Sequence, residues 1–259
     1  MRFLLALGLA VLSFTGHARA AVNNADAKSI LEQVQKNVTS KDEVGTLKMT
    51  IVEADGTKKD RTIEIRRKGG EGKQKVLVRL QAPADLKGTA LLSVNKGKES
   101  DQWLYLPSSK QTRRIQSGKR SAGFLDSELS YEDMGSASDT KVASKVLREE
   151  KLGGKSYAVI QNDLTGESSY GKVLVWVDLG TYLVGKTEIY DKAGKLLKET
   201  ALTDYKQFGS GAAAPWRAQR LEVKNVQNKR STKLELSGLK LNQGLSDEEF
   251  TESALTEGD

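Results

Sequence analysis

The sequence predicts a mainly β protein: a single strongly curved antiparallel sheet, or unclosed β-barrel, of about ten or eleven strands. Two patterns indicate this fold. Apolar and polar residues alternate on both sides of a central stretch, with short turns between the alternating segments. One segment near the N-terminus instead has the spacing of an amphipathic helix. Because so large a sheet must curl to keep its apolar face from water, the helix is expected to lie against the concave apolar face. An ordinary two-sheet sandwich is the alternative.

The N-terminal segment predicts export from the cytoplasm. It combines a basic residue at Arg2, an apolar run over 3–14 and small residues at Ala18 and Ala20. This order is typical of a secretory signal peptide with an A-x-A cleavage site. We therefore expect residues 1–20 to be a cleaved signal peptide, residues 21–259 to form a single domain, and the mature protein to reside in the bacterial periplasm.

The composition excludes several chemistries. The chain has no cysteine, and its one histidine, His17, lies in the predicted signal peptide. Cysteine nucleophiles, disulfides, Cys/His zinc sites and Ser-His-Asp triads are therefore unavailable to the mature chain. Ser93 and Lys96 match a Ser-x-x-Lys spacing, but they lie at a strand end rather than at the start of a buried helix. The sequence predicts no enzyme, no catalytic residue, no metal and no cofactor.

The basic charge indicates a solvated surface. Loss of Arg2 and Arg19 with the signal peptide lowers the formal net charge from +7 to +5. The remaining lysines and arginines are spread through almost every strand, where they alternate with Thr, Glu and apolar residues. This distribution is typical of the outer face of a sheet, and we expect no nucleic-acid partner.

Residues 25–38 predict the helix. Its apolar residues recur at helical spacing and form one stripe, made of Ala27, Ile30, Leu31, Val34 and Val38. Next along the chain, Leu47, Met49 and Ile51 begin the alternation of a first strand. At the other end, Ser246 and Glu249 have capping-box spacing before Phe250, which predicts a short terminal helical segment.

The stretch Asp101–Gly135 departs from the strand pattern, so function is most expected there. It contains an aromatic strand, a proline turn, a pair of arginines, a basic loop, a pair of apolar residues and, near its end, a pair of acidic residues. The residues of interest are Trp103, Tyr105, Pro107, Arg113, Arg114, Lys119, Arg120, Phe124, Leu125, Asp126, Glu128, Tyr131, Glu132 and Asp133.

The acidic residues of this stretch allow two interpretations. Paired carboxylates could perform acid–base chemistry or bind a cation. The neighbouring basic residues favour salt bridges that fix the loop, and we expect Arg113 or Arg114 to pair with Glu128, Glu132 or Asp133. The apolar pair Phe124–Leu125 also leaves two possibilities: it plugs the barrel, or it meets a partner.

The same residues carry a resemblance to a known family. The segments 103–107 (WLYLP), 113–115 (RRI), 124–125 (FL) and 130–134 (SYEDM) resemble the longer branch of the LolA-like outer-membrane lipoprotein-sorting proteins. Two positions depart from the family pattern, because Asp126 stands where glycine is more usual and Glu128 where aspartate is. The resemblance implies an unclosed β-barrel with a helical lid and an apolar cavity for acyl chains.

We therefore predict a monomeric periplasmic carrier. It would hold the acyl chains of lipoproteins or other lipids non-covalently and deliver them towards the outer membrane, between an inner-membrane transporter and an outer-membrane acceptor. An envelope-stress sensor on the same fold, binding lipid or a protein tail without transporting it, is the alternative.

The predicted site residues fall into three groups. The residues expected to bind lipid are Met49, Ile51, Ile63, Ile65, Val78, Leu80, Leu92, Trp103, Tyr105 and Trp176. The residues expected to form the lid or gate are Ile30, Leu31, Val34, Phe124 and Leu125. The residues expected to fix the loop are Arg113, Arg114, Tyr131 and Asp133. A register error of one residue in any strand would move its side chains to the other face.

Overall fold

The fold is taken from a computed structural model that describes residues 24–69, 74–95, 97, 100–135, 141–211 and 214–256. The predicted signal peptide and Lys96 lie outside the described residues. None of the helices in the described ranges is both long and apolar enough to cross a membrane.

The secondary structure is mainly β, as predicted. The helices are α1 (Asn24–Val38) and α2 (Tyr131–Met134). The strands are β1 (Asp42–Val52), β2 (Lys58–Lys68), β3 (Lys75–Ala82), β4 (Ala90–Asn95), β5 (Ser100–Leu106), β6 (Gln111–Arg114), β7 (Lys141–Leu152), β8 (Lys155–Thr165), β9 (Tyr170–Asp178), β10 (Val184–Asp191), β11 (Leu196–Gln207), β12 (Trp216–Asn225) and β13 (Ser231–Leu241).

These strands form one unclosed antiparallel sheet. Its order is β6-β5-β4-β3-β2-β1-β13-β12-β11-β10-β9-β8-β7. The predicted count of about ten or eleven strands was wrong, because the sheet has thirteen. One strand that the pattern missed is β6, whose four residues are all exposed and polar and so show no apolar alternation.

The chain divides into two compact units. One unit, here called the helix unit, comprises Met1–Thr39 and Thr140–Asn228, and the other, the loop unit, comprises Ser40–Asp139 and Lys229–Asp259. The helix unit contains α1 and β7 to β12, and the loop unit contains the remaining strands and α2. The single domain predicted for 21–259 stays a prediction.

In the helix unit, α1 packs on one apolar face of the sheet. Ala27 and Val34 are fully buried, and Ile30 and Leu31 pack partly buried against the same cluster. The strand residues in this cluster include Val146, Ala158, Ile160, Val173, Val175, Val177, Val184 and Ile189. Burial of this stripe stabilises α1, since a single helix with one apolar face gains little stability from its own hydrogen bonds in water.

In the loop unit, the strand register places apolar residues on both faces of the sheet. Ile63 pairs with Leu47 and with Leu80, so these side chains share one face, here called the loop face. Leu92 pairs with Leu77 and with Trp103, and these side chains share the opposite face, here called the tail face.

The tail face is covered by the end of the chain. Phe250 and Leu255, both buried, pack in one cluster with Leu92 and Tyr105. Arg79 reinforces the contact, since its guanidinium donates to the backbone oxygens of residues 254 and 255 at 2.6 and 3.0 Å. The predicted C-terminal segment is thus observed as two short 3-10 turns, Glu248–Phe250 and Ser253–Leu255.

Candidate functional site

The stretch singled out by the sequence forms a compact loop between β6 and β7. Residues 115–135, here called the central loop, contain two 3-10 turns and α2. The Phe124 amide donates to the Leu129 oxygen at 2.6 Å, which closes the tip of the loop. Ser130 and Asp133 form a capping box at the start of α2, in which each side chain accepts from the other residue's backbone amide.

The central loop lies over the loop face, where it is attached at two places. The Glu128 amide donates to the Thr232 hydroxyl at 2.9 Å, and Thr232 pairs with Ile51 on the loop face. On β5, the Gln102 side-chain amide donates to the Tyr131 oxygen at 2.8 Å. Gln102 pairs with Ser93 and also lies on the loop face. The loop therefore covers this face, and its own buried apolar side chains are Phe124, Leu129 and Met134.

Phe124 is the largest fully buried side chain of the loop. Its side chain has no exposed area, and its ring meets Tyr131 edge to face with 5.9 Å between centroids. Leu125 beside it is only half-buried. The sequence left two possibilities for this pair, namely that it plugs the barrel or that it meets a partner. In this structure the Phe124 side chain is buried within its own chain.

The backbone at the tip is strained. Leu125 and Asp126 both adopt left-handed conformations, with φ of +54° and +61°. This region favours glycine and costs other residues roughly 1–2 kcal/mol, although Asp tolerates it better than Leu.

An ionic cluster holds this strained tip, and we call it the Arg230 cluster. Arg230, just before β13, meets Glu53 at 2.7 Å (Nε–Oε2), Glu128 at 3.2 Å (Nη1–Oε1) and the Asp126 backbone oxygen at 2.6 Å. Lys59 joins Glu53 and Asp126 at 2.8 and 2.9 Å. Hydrogen bonds from Lys59, then the contacts with Arg230, hold the pKa values of the Glu53 and Asp126 carboxyls below their usual range.

The paired arginines of the sequence lie elsewhere. Arg113 donates to Gln111 at 2.8 Å, and Arg114 pairs with Asp101. Both arginines belong to the exposed strand β6. The sequence predicted that Arg113 or Arg114 pairs with Glu128, Glu132 or Asp133, and that pairing stays a prediction. The structure shows Arg230 at Glu128, a residue that sequence reasoning missed because it is remote in the chain and belongs to no motif.

The other two residues expected to fix the loop do lie within it. Asp133 is buried and accepts from the Ser130 amide at 2.8 Å. Tyr131 supports Phe124 with its ring and accepts from Gln102 with its backbone oxygen. Burial raises the pKa of the Tyr131 hydroxyl, so it stays protonated at neutral pH.

The residues predicted to bind lipid are distributed over three surfaces. Those on the loop face, all buried, are Met49, Ile51, Ile63, Ile65, Val78 and Leu80. Leu92, Trp103 and Tyr105 lie on the tail face with the C-terminal segment. Trp176 lies in the helix unit, in a cluster with Val159 and Leu174.

Trp176 faces away from α1. Its neighbours in β9, Val175 and Val177, belong to the cluster under α1, and alternation turns Trp176 to the other side of the sheet. Two cations cover its ring, Lys186 at 4.8 Å and Arg148 at 5.7 Å from the ring centroid.

The tail face also carries a groove of 530 Å³. It lies between the strands and the C-terminal segment, and its lining residues are Lys75, Leu92, Val94, Asn95, Trp103, Phe250, Thr251 and Glu252. Its volume lies in the range of about 300–1,000 Å³ that is common for ligand pockets. Lys75 is already paired with Asp247 at 2.9 Å, so the groove presents no unpaired charge at that end.

Solved structures of other proteins share this architecture. A solved domain from Vibrio parahaemolyticus, provisionally described as an outer membrane lipoprotein-sorting protein, is 32% identical with a TM-score of 0.83, over 90% of this chain and 100% of that chain. A DUF1329 family protein from Desulfovibrio piger ATCC 29098 is 25% identical with a TM-score of 0.80, over 88% of this chain and 96% of that chain.

A third structure supports the fold alone. A LolA superfamily protein from Nitrosomonas europaea is 23% identical with a TM-score of 0.71, over 91% of this chain and 100% of that chain. A family model described as an uncharacterized protein matches residues 72–257. No curated protein matches the chain.

These comparisons define the class of protein as LolA-like in fold, with one unclosed antiparallel sheet and a short helix. The chain belongs to the LolA-like family of outer-membrane lipoprotein-sorting proteins, as the motifs of the central stretch predicted.

Proposed function

We propose that this protein is a periplasmic carrier that holds the acyl chains of lipoproteins or other lipids on the loop face and delivers them towards the outer membrane. Family membership supports a role in binding lipid or lipoprotein. The observation that carries the proposal is that a strained loop covers a sheet face of mainly apolar residues and contains one fully buried aromatic ring, Phe124.

The energetics favour an apolar container. An acyl chain left in water costs about 0.8 kcal/mol for each exposed CH₂ group. The buried residues of the loop face offer the same environment as a protein core, provided that the central loop moves aside. Phe124 is fully buried in the loop that covers this surface, and we infer that its ring and the acyl chain compete for the loop face.

Loading and release then need no covalent chemistry. The Arg230 cluster holds the loop over the apolar face when no cargo is bound, and cargo binding exchanges these contacts for burial of the acyl chain. A ligand shifts this balance only by its differential affinity for the open state. In the helix unit, Ile30, Leu31 and Val34 on α1 pack against the apolar cluster of that unit, and their role as a lid stays a prediction.

A carrier also needs a donor that supplies the cargo and an acceptor that receives it. The carrier would act as a monomer, taking cargo from an inner-membrane transporter and passing it to an outer-membrane acceptor. The envelope-stress sensor on the same fold predicts lipid binding without transfer, so the two functions differ in whether bound lipid leaves to an acceptor membrane.

The first experiment is native mass spectrometry of protein purified from its own periplasm. Added mass that matches a lipid or an acylated peptide is the expected result. A protein that carries no lipid, and that also fails to bind a fluorescent fatty-acyl probe after delipidation, contradicts the carrier. Transfer of bound probe to acceptor vesicles separates the carrier from the sensor, which would retain it.

Matched variants test which surface binds. Ile65→Ala on the loop face and Leu174→Ala beside Trp176 both truncate a buried aliphatic side chain, so both should destabilise by about 2–5 kcal/mol. Only Ile65→Ala should weaken probe binding per folded molecule. The reverse result would move the acyl site to the Trp176 surface.

A further inference from the structure

A buried arginine of the central loop has donors that nothing in the described part of the chain uses. Arg120 follows the 3-10 turn Ser117–Lys119, and only 7% of the residue is exposed. Its Nη2 donates to the backbone oxygen of Ser100. Among the described residues, its Nε and Nη1 are buried and make no hydrogen bond. Burying a guanidinium without an anion is expensive, so this arrangement indicates a missing partner.

The surroundings of this guanidinium are also polar and incompletely paired. Ser100 has 6% exposure, and its hydroxyl is buried without a partner in the ranges that the structure describes. Because Arg120 bonds to the backbone of Ser100, this hydroxyl lies next to the guanidinium. Gln102, two residues further on β5, donates to Ser93 at 2.9 Å, while its side-chain oxygen is buried without a described partner.

These atoms form a receptor for an oxyanion. Nε and Nη1 are two separate N–H donors on different sides of the planar guanidinium, and each can donate a charge-assisted hydrogen bond to an oxygen of a carboxylate or phosphate. The Ser100 hydroxyl adds a third donor. A water molecule could accept one of these hydrogen bonds, but it would leave the charge of Arg120 uncompensated.

We propose that Arg120 and Ser100 bind the carboxylate or phosphate group of an anionic ligand under the central loop. This inference rests on the proposed function, because it names the class of cargo: an acyl lipid with an anionic head. Ser100 and Gln102 are buried on β5, and Gln102 shares the loop face with the apolar residues of the proposed acyl site. A head held between Arg120 and Ser100 would therefore lead its chain onto that face once the tip of the loop around Phe124 moves aside, while Arg120, near the start of the loop, stays beside Ser100.

The proposal is tested with laurate and dodecanol, which have equal chain lengths and differ in charge. Isothermal titration at neutral pH should show tighter binding of laurate. Arg120→Gln should weaken laurate binding about tenfold or more, the loss expected for charge-assisted hydrogen bonds, and leave dodecanol unchanged. Arg113→Gln is the control, because it removes the same charge from an exposed strand and should change neither affinity.

Ser100→Ala keeps the test decisive if Arg120→Gln fails to fold. Since the Ser100 hydroxyl has no partner among the described residues, its removal should not lower the thermal unfolding midpoint of the ligand-free protein. It should still weaken laurate binding. Equal affinities of the wild type for laurate and dodecanol, without any Arg120-dependent effect of phosphate, would overturn the oxyanion site and leave the carrier intact, whereas binding of neither acyl ligand would contradict the carrier itself.

Inorganic phosphate distinguishes the source of the anion. A phosphate-induced rise in the unfolding midpoint that Arg120→Gln abolishes supports the site with a free anion as ligand. An Arg120-dependent preference for laurate without any phosphate effect supports it with a lipid head as ligand. A phosphate effect that persists in Arg120→Gln, together with no preference for laurate, overturns it.

Discussion

Arg230 and Glu128 join the β12–β13 turn to the central loop, with 3.2 Å between Nη1 and Oε1. The Glu128 side chain is 5% exposed and that of Arg230 21%. The same guanidinium also meets Glu53, just after β1, and Asp126 at the loop tip. One side chain thus connects three segments that are distant in the chain, and its removal would leave a buried carboxylate without this partner.

Arg230→Met should therefore destabilise the protein by about 3 kcal/mol, which is the lower end of the range for removing one partner of a buried ion pair. Urea unfolding at neutral pH measures the loss. Arg113→Ala is the matched control, because its exposed side chain should contribute less than about 1 kcal/mol. Equal small losses in both variants would mean that the Arg230 cluster behaves as a surface feature.

The Arg230 cluster should also weaken in acid. Glu53 and Asp126 have pKa values below the ordinary 4.5 and 3.8 because Lys59 and Arg230 favour their charged forms. The unfolded chain then binds protons more readily, so the stabilisation is present above these ordinary values and is lost as pH falls through the lower folded values. The difference in urea midpoint between wild type and Arg230→Met should shrink from pH 7 to about pH 3. A constant difference would assign the effect of Arg230 to packing.

Two substitutions at position 126 separate backbone strain from charge. Asp126→Ala loses the contacts with Lys59 and Arg230 and keeps a Cβ at φ +61°. Asp126→Gly loses the same contacts and removes the steric cost. The glycine variant should be more stable than the alanine variant by about 1 kcal/mol. An alanine variant of equal or greater stability in urea unfolding would show that the left-handed conformation carries no cost here.

Phe124→Ala should destabilise the protein by about 3–5 kcal/mol, because the ring is fully buried against Tyr131. The half-buried neighbour provides the control, and Leu125→Ala should lose less. A gate role adds a second expectation: altered retention of a fluorescent fatty-acyl probe per folded molecule in Phe124→Ala. A large loss of stability with unchanged retention would leave Phe124 as an ordinary core residue.

The central stretch illustrates what could be predicted about the site. Its motifs identified the family, and its departure from strand alternation marked the loop that covers the apolar face. The partner of its acidic residues could not be predicted, since Arg230 and Asp126 are separated by 104 residues. The exposed arginines nearest in sequence were the natural candidates, and they contact Gln111 and Asp101 instead.

The sequence by itself determined the mainly antiparallel architecture and the apolar stripe of α1, because alternation and helical spacing are local properties of the chain. Only the tertiary structure decided which face each strand presents. Met49 lies under the central loop and Trp103 under the C-terminal segment, although both sit in strands with the same alternation. Register depends on hydrogen bonds between distant strands, and a shift of one residue exchanges the two faces, so local periodicity cannot specify it.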